Sequence, residues 1–402
     1  REPGLVPPAA ADTPDTPDSP SATEGPALPS ADVTGPAEQP TGGTAGEGRG
    51  AEGAEDEVDA GDDGGSTIPV GLVGGGLALA GLVLVLDRRR RAQNRHRRSG
   101  RRVAMPTEGL AAVEHHLRAG TDTDAARRVD AALRAAAAGS GVGGPPELRW
   151  VESTPAHVTL VVSPAAPPPP GFADDGDGRW RTTGTAEELG ALGASAASLA
   201  PALVPLGTTE DGTEVLVDLE ASGVLSVSGP EARVEPFLRS LSLAAATAPW
   251  TGHPRVLLVG LGGEMTALPW VETADTLGMA LVDAENRAAE AVSALRGLQC
   301  QTTAQARAAG TTPDAWEPLV VVSSRAPRDE RYRVAALAAR PGHAVAVVCP
   351  PGDAVHGRRL DIDDDGWMTL ADCDLRIRAR QLAEDDTRSV IELLDVAADL
   401  DG

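Results

Sequence analysis

Ser228, Gly229 and Pro230 are the residues best placed to meet a phosphate. They lie between the apolar run Val224–Val227 and an amphipathic stretch over 232–246. A strand, a glycine turn and a helix start are the layout in which backbone amides and a helix N-terminus cradle an anion. The residue types deny the chemistry. Laid on G-x-x-x-x-G-K-[ST] from Gly229, the second glycine becomes Val234, the lysine Glu235 and the hydroxyl residue Pro236. A carboxylate stands where a cation is required. The strand expected to carry a magnesium-binding Asp, Leu319–Val322, is followed by Ser323 and Ser324 instead.

Other motifs fall short in the same way. Val259–Glu264 reads VGLGGE, but the dinucleotide fingerprint needs a third glycine where Met265 stands, and Pro269 discourages the following helix. Asp361, Asp363, Asp365 and Gly366 match the opening of a calcium loop, with Thr369 and Asp372 at later ligand positions. The twelfth position is Asp and not Glu, no helix precedes the run, and Asp365-Gly366 reads more simply as a hairpin turn. His115 and His116 are adjacent rather than four apart, there is no HExxH and no G-x-S-x-G. Cys300, Cys349 and Cys373 show no CxxC spacing and read as small buried hydrophobes. No metal, cofactor or catalytic set is expected, and the chain reads as non-enzymatic.

Composition narrows the classes further. All 35 basic residues are Arg, which removes Schiff-base and phosphate-loop lysine chemistry. Aromatics make up 2% of the chain, so a core has to be built by aliphatic packing. The net charge of −24 is uneven: residues 1–66 carry −13, residues 67–102 carry +8, and the remainder −19. An acidic domain repels a phosphate backbone, so no nucleic acid is expected to bind this stretch itself. The chain starts at Arg1 without an initiator Met, which reads as a piece or a processed form.

The elements that position these residues follow from periodicity. Residues 1–66 are rich in Pro, Asp, Glu, Gly, Ser and Thr, too polar to offset the entropy of ordering, and read as a disordered linker. Residues 67–87 follow, with twenty uncharged residues from Thr67 to Leu86, the length of a transmembrane helix. Arg88, Arg89, Arg90 and Arg91, then Arg95, Arg97 and Arg98, end it, so the positive-inside rule puts the arm outside and the rest in the cytoplasm. The Arg-rich segment spans 88–106 and faces the lipid bilayer. Gly71 and Gly75 form a G-x-x-x-G that would let two such helices meet as a homodimer.

Residues 107–200 read as two helices (108–119 and 122–138), a strand pair within 147–163 and a helix over 186–199. Residues 201–402 alternate strands at 215–219, 224–227, 255–259, 319–322 and 344–348 with helices at 232–246, 284–298 and 330–339. A hairpin (358–363 with 367–370) and a helix near 387–400 close the chain. Continuous Val/Leu strands between amphipathic helices predict an α/β fold, a mostly parallel sheet covered by helices, resembling a degenerate phosphate-loop domain.

The segments GLVLVLDRRRRAQNRHRRSGRR (81–102), AARRVDAALRA (125–135), LVDLEASGVLSVSG (216–229), DAWEPLVVVSS (314–324) and ARQLAEDD (379–386) resemble the juxtamembrane middle of a known family. These are the actinobacterial membrane-anchored regulators with LysM and bacterial transcriptional activator domains (BTAD). The resemblance implies an outer wall-binding module and a C-terminal DNA-binding module, neither of which lies within 1–402. The function it implies is a membrane-anchored regulatory or signalling scaffold with protein partners, the middle part of a transcriptional regulator. The alternative is a protein-binding assembly component of a secretion or cell-division machine with an inactive ATPase-like domain.

Overall fold

A computed structural model describes residues 76–96, 105–141, 144–250, 254–310, 316–352, 357–370 and 375–399. The chain divides at residue 63, and everything described belongs to the second unit, 64–402. The linker expected over 1–66, Gly71 and Gly75 of the helix contact, and Arg97 and Arg98 lie outside the described residues.

The heart of the fold is a parallel group of strands. These are β7 (Val224–Ser228), β8 (Arg255–Val259), β9 (Val271–Thr273), β10 (Leu319–Ser323), β11 (Val345–Cys349) and β12 (Arg358–Ile362), laid out in the order β12-β7-β11-β10-β8-β9. Both β10 and β11 are buried at every position, which is why their sequences are unbroken Val, Leu, Ala and Cys before the closing Ser323. Alternate side chains point to opposite faces. Val256, Leu258, Val320, Val322 and Val348 meet Phe237, Leu238 and Leu241 of helix α6 (Glu231–Thr247) in one core. Leu257, Val259, Leu319, Val321, Val345 and Val347 face the opposite core, which holds Leu277, Ala280 and Leu281 of α7 (Leu277–Leu298) and Val334 of α9 (Arg331–Ala338). Helices therefore cover both faces. α7 begins seven residues before the expected 284, because the Thr276 hydroxyl accepts from the Met279 amide and caps it earlier.

The sheet does not stop at β12. It continues through β13 (Trp367–Leu370), β14 (Arg376–Ala379), β5 (Leu203–Thr208), β6 (Glu214–Asp218), β1 (Glu147–Ser153), β2 (Val158–Ser163), β4 (Arg179–Thr182) and β3 (Phe172–Asp174), for fourteen strands in all. Five neighbouring pairs are parallel and eight antiparallel. The expected "mostly parallel" sheet is thus corrected to a mixed α/β sheet. The physical reason is that burial does not mark strand direction: β2, β5 and β6 are buried along most of their length yet pair antiparallel, so their apolar runs read like those of parallel strands. The sheet runs unbroken across residue 200.

The helices α2 (Glu108–Ala119), α3 (Thr123–Ala138), α4 (Ala186–Leu192), α5 (Leu219–Ser222), α8 (Thr303–Ala308) and α10 (Glu384–Ala398) complete the fold. Thr107, Asp122 and Thr185 cap α2, α3 and α4 with their side chains, and Thr185 forms a reciprocal capping box with Glu188. The expected helix over 186–199 stops at Leu192, where Gly193 takes the C-cap.

Helix α1 (Gly76–His96) begins inside the expected span. No described helix is long and apolar enough to cross a membrane. The described part of the span is packed: Leu79, Leu82, Val83 and Leu86 join the core with α6 and α10, and Leu77 and Ala80 join the core around α3. Residues 67–75 lie outside the described residues.

Candidate functional site

In a doubly wound sheet, ligands bind outside the carboxyl ends of the strands where the chain reverses its winding. Here that point is the end of β7. The chain leaves β7 through α6 and returns at β8, three places away. It takes one more place outward at β9, then steps back through β10 and β11 before crossing to β12 on the other side of β7. The Ser228-Gly229-Pro230 turn sits at this point, as its sequence suggests.

What stands there is a closed contact. Only two residues separate β7 from α6, and Pro230 at the N-cap offers no side-chain cap. Gly229 adopts φ +145°, and a Cβ on it would lie 2.4 Å from the Ile362 carbonyl oxygen. The Ser228 hydroxyl donates to the Asp361 carboxylate. Arg233 Nε donates to the Asp364 carbonyl at 3.0 Å, and its Nη1 to Gln381 Oε1 at 3.3 Å. The β12–β13 hairpin thus packs directly against the turn.

The charges agree with the packing. Glu235 pairs with Arg239 at 2.8 Å, and Arg239 also meets Glu384 at 3.3 Å and Glu264 at 3.9 Å. Partial desolvation works against Asp361, but hydrogen bonds from Arg359 and Ser228 hold its carboxyl below the usual range. The local cations are engaged with carboxylates and carbonyls.

The D-x-D-x-D-G run is a turn. Asp363 Oδ1 accepts from the Asp365 amide at 3.0 Å and the Trp367 amide at 2.8 Å, and Gly366 takes φ +81°. Asp372 lies outside the described residues. Among the described residues, no three His, Cys, Asp or Glu side chains converge as a metal site. The VGLGGE segment turns through Gly260 (φ +75°) and Gly262 (φ +68°) into a 3-10 helix, Gly263–Ala267.

The basic run is divided. Arg88, Arg91 and Arg95 are exposed on α1. Arg90 pairs with Glu114 of α2 at 3.2 Å. Arg89 donates to the Leu394 carbonyl at 2.8 Å, and burial pulls its pKa down despite the nearby Asp395. Gln93 donates to the carbonyls of Val396 and Asp399 at 2.7 and 2.8 Å. These two side chains bind the C-terminal turn of α10, and Gln93 serves the Val396 carbonyl, one of the last four that a helix leaves without a partner of its own.

A second polar group, at the opposite end of β7, has no motif in the sequence to mark it. Asp218 ends β6 and caps α5, accepting from the Glu220 amide at 3.0 Å. Glu220 accepts from Arg307 at 2.7 Å, the Ala344 amide at 2.8 Å and the Thr303 hydroxyl. Arg307 also donates to the Trp316 carbonyl. Burial, then the like charge of Glu220, pushes the Asp218 carboxyl up to about 7. The only local signal for this group is D-x-E before a glycine.

No family model matches the chain, and no curated protein matches it. Among solved structures, it is similar to the cytoplasmic domain of the type VII secretion ATPase EccC of Thermomonospora curvata. That match has 17% identity and TM-score 0.34, and covers 48% of this chain and 31% of that one. The pCW3 conjugation coupling protein TcpA matches with 10% identity and TM-score 0.37, covering 66% and 99%. EssC of Geobacillus thermodenitrificans matches with 10% identity and TM-score 0.37, covering 51% and 50%. The chain thus spans less than a third of the EccC chain.

Proposed function

We propose that this chain is a non-enzymatic assembly component, an inactive nucleotide-binding-type α/β domain that works by binding other proteins. One observation carries the reading: at the switch point of the parallel sheet the turn is packed against the protein's own β12–β13 hairpin, with the carboxylates of Asp361 and Glu235 beside it. Phosphoryl-transfer sites depend on backbone amides, a cation and a bound magnesium gathered around the phosphates. Here Glu235 and Asp361 would face them. A unit charge about 4 Å from a bare like charge, at an effective dielectric near 20, is disfavoured by roughly 4 kcal/mol, of which Arg239 and Arg359, paired with these carboxylates, offset a part.

The chain is further proposed to be membrane-anchored through 67–87, with the folded unit on the side of the Arg run. The support is the sequence: twenty uncharged residues closed by Arg88–Arg91. In the anchored state Leu77–Leu86 exchange their contacts with α3, α6 and α10 for lipid.

Calorimetry of the full chain with ATP and Mg²⁺ tests the central reading. The expected result is no binding tighter than about 1 mM, a free energy near 4.1 kcal/mol. A dissociation constant below about 100 µM, or any turnover abolished by Gly229→Val, would overturn it.

A further inference from the structure

At the amino ends of β7 and β11, far from the switch point, a cavity of about 500 Å³ opens beside Asp218. This volume lies in the range of small-molecule sites. Its wall is largely apolar, built from Pro145, Leu148, Pro164, Leu199, Ala304 and Pro341. Asp218, Glu220 and Arg307 supply the polar side, all more than nine-tenths buried.

The charges there do not cancel. Arg307 is spent on Glu220, which also holds the Thr303 hydroxyl and the Ala344 amide. Asp218 receives backbone amides from Glu220 and Ala221 and feels Arg307 only at longer range, since among the described residues Arg307 forms its ion pair with Glu220. When Asp218 is ionised, two carboxylates and one guanidinium leave one negative charge at the edge of an apolar space. An ionised carboxylate buried without a cation is costly, and a cation of matching position offsets that cost. Exposed Glu147 at the cavity wall adds attraction of the same sign.

We propose that this cavity binds a small organic cation, a protonated amine on an apolar body, with the ammonium on Asp218 and the body against the proline- and leucine-lined wall. The site is independent of the switch point, so the inference stands whether or not the domain binds nucleotide.

Tryptamine is the probe, with tryptophol as its neutral counterpart of similar shape. Calorimetry uses the full chain at pH 8 and about 0.3 M salt, where the Debye length is short enough to suppress attraction to the acidic surface. Tryptamine is expected to bind at least 10-fold tighter than tryptophol. Asp218→Asn keeps a good helix cap and should erase that preference. Ala304→Phe leaves Asp218 in place, fills the cavity from another wall and should weaken both probes at least 10-fold. Circular dichroism establishes that each variant is folded. Equal affinity of the two probes, no binding of tryptamine, or a preference that survives Asp218→Asn would each overturn the assignment.

Discussion

Arg307 and Glu220, 87 positions apart, form an ion pair of 2.7 Å in which the side chains are 3% and 2% exposed. The pair ties α8 to α5 and, through the Ala344 amide, to the start of β11. Removing one partner strands the other charge in the interior. Arg307→Met is therefore expected to cost about 3–5 kcal/mol, the usual range for breaking a buried pair. Urea unfolding followed by circular dichroism measures it. A loss under about 1 kcal/mol would mean that water reaches Glu220.

Asp218 makes stability depend on pH in an unusual direction. Its folded pKa is raised to about 7, while an unfolded Asp titrates near 4. Between those values the folded chain holds a proton that the unfolded chain has released, so the contribution of Asp218 is lost as pH rises from about 4 to about 7. The charged neighbours facing it are Glu220 and Arg307, with Glu147 at the cavity wall. Asp218→Asn removes the titration. The Tm of the variant relative to the parent should climb between pH 5 and 8, and parallel Tm curves would refute the buried-carboxylate account.

Gly229 is fixed twice over, by φ +145° and by the 2.4 Å approach a Cβ would make to the Ile362 carbonyl. Gly229→Ala should destabilise by about 1–3 kcal/mol from the backbone conformation alone. Gly263, with nothing within 4 Å of its Cβ position, is the control, and Gly263→Ala should be close to neutral. Equal effects of the two substitutions would show that the turn does not rest on β12.

Membrane orientation is testable with reporter fusions. Alkaline phosphatase fused at residue 60 should be active and at residue 110 inactive, as the Arg run directs. Activity only at 110 would reverse the assignment, and inactivity at both would remove the span.

Much of the parallel half was legible. β8, β10 and β11 are apolar runs, and α6 and α10 carry helical periodicity, so their expected positions lie within a few residues of those found. The strands that escaped are short or interrupted. β5 contains Pro205 and Gly207 around a register shift, β14 is Arg-Ile-Arg-Ala, and β3 and β9 have three residues each. The switch-point turn was legible because its residues are contiguous. The Asp218–Glu220–Arg307 group was not, because α5 and α8 meet only through the fold and no local pattern records their distance.

The grip of Arg89 and Gln93 on the last carbonyls of α10 joins the first described helix to the last. The two ends of the described chain are therefore clasped directly, not through the sheet between them. While α1 is packed as described, tension between a tether upstream of it and anything attached after α10 would act on these three hydrogen bonds and the apolar seam beside them. The sheet shares that load, because the Leu77 amide donates to Glu214 of β6 at 3.2 Å and Leu79 and Leu82 lie in one core with Val204 and Leu206 of β5. Mechanically, the two ends close on each other at one seam, and pulling from both ends would load that seam and the sheet beneath it together.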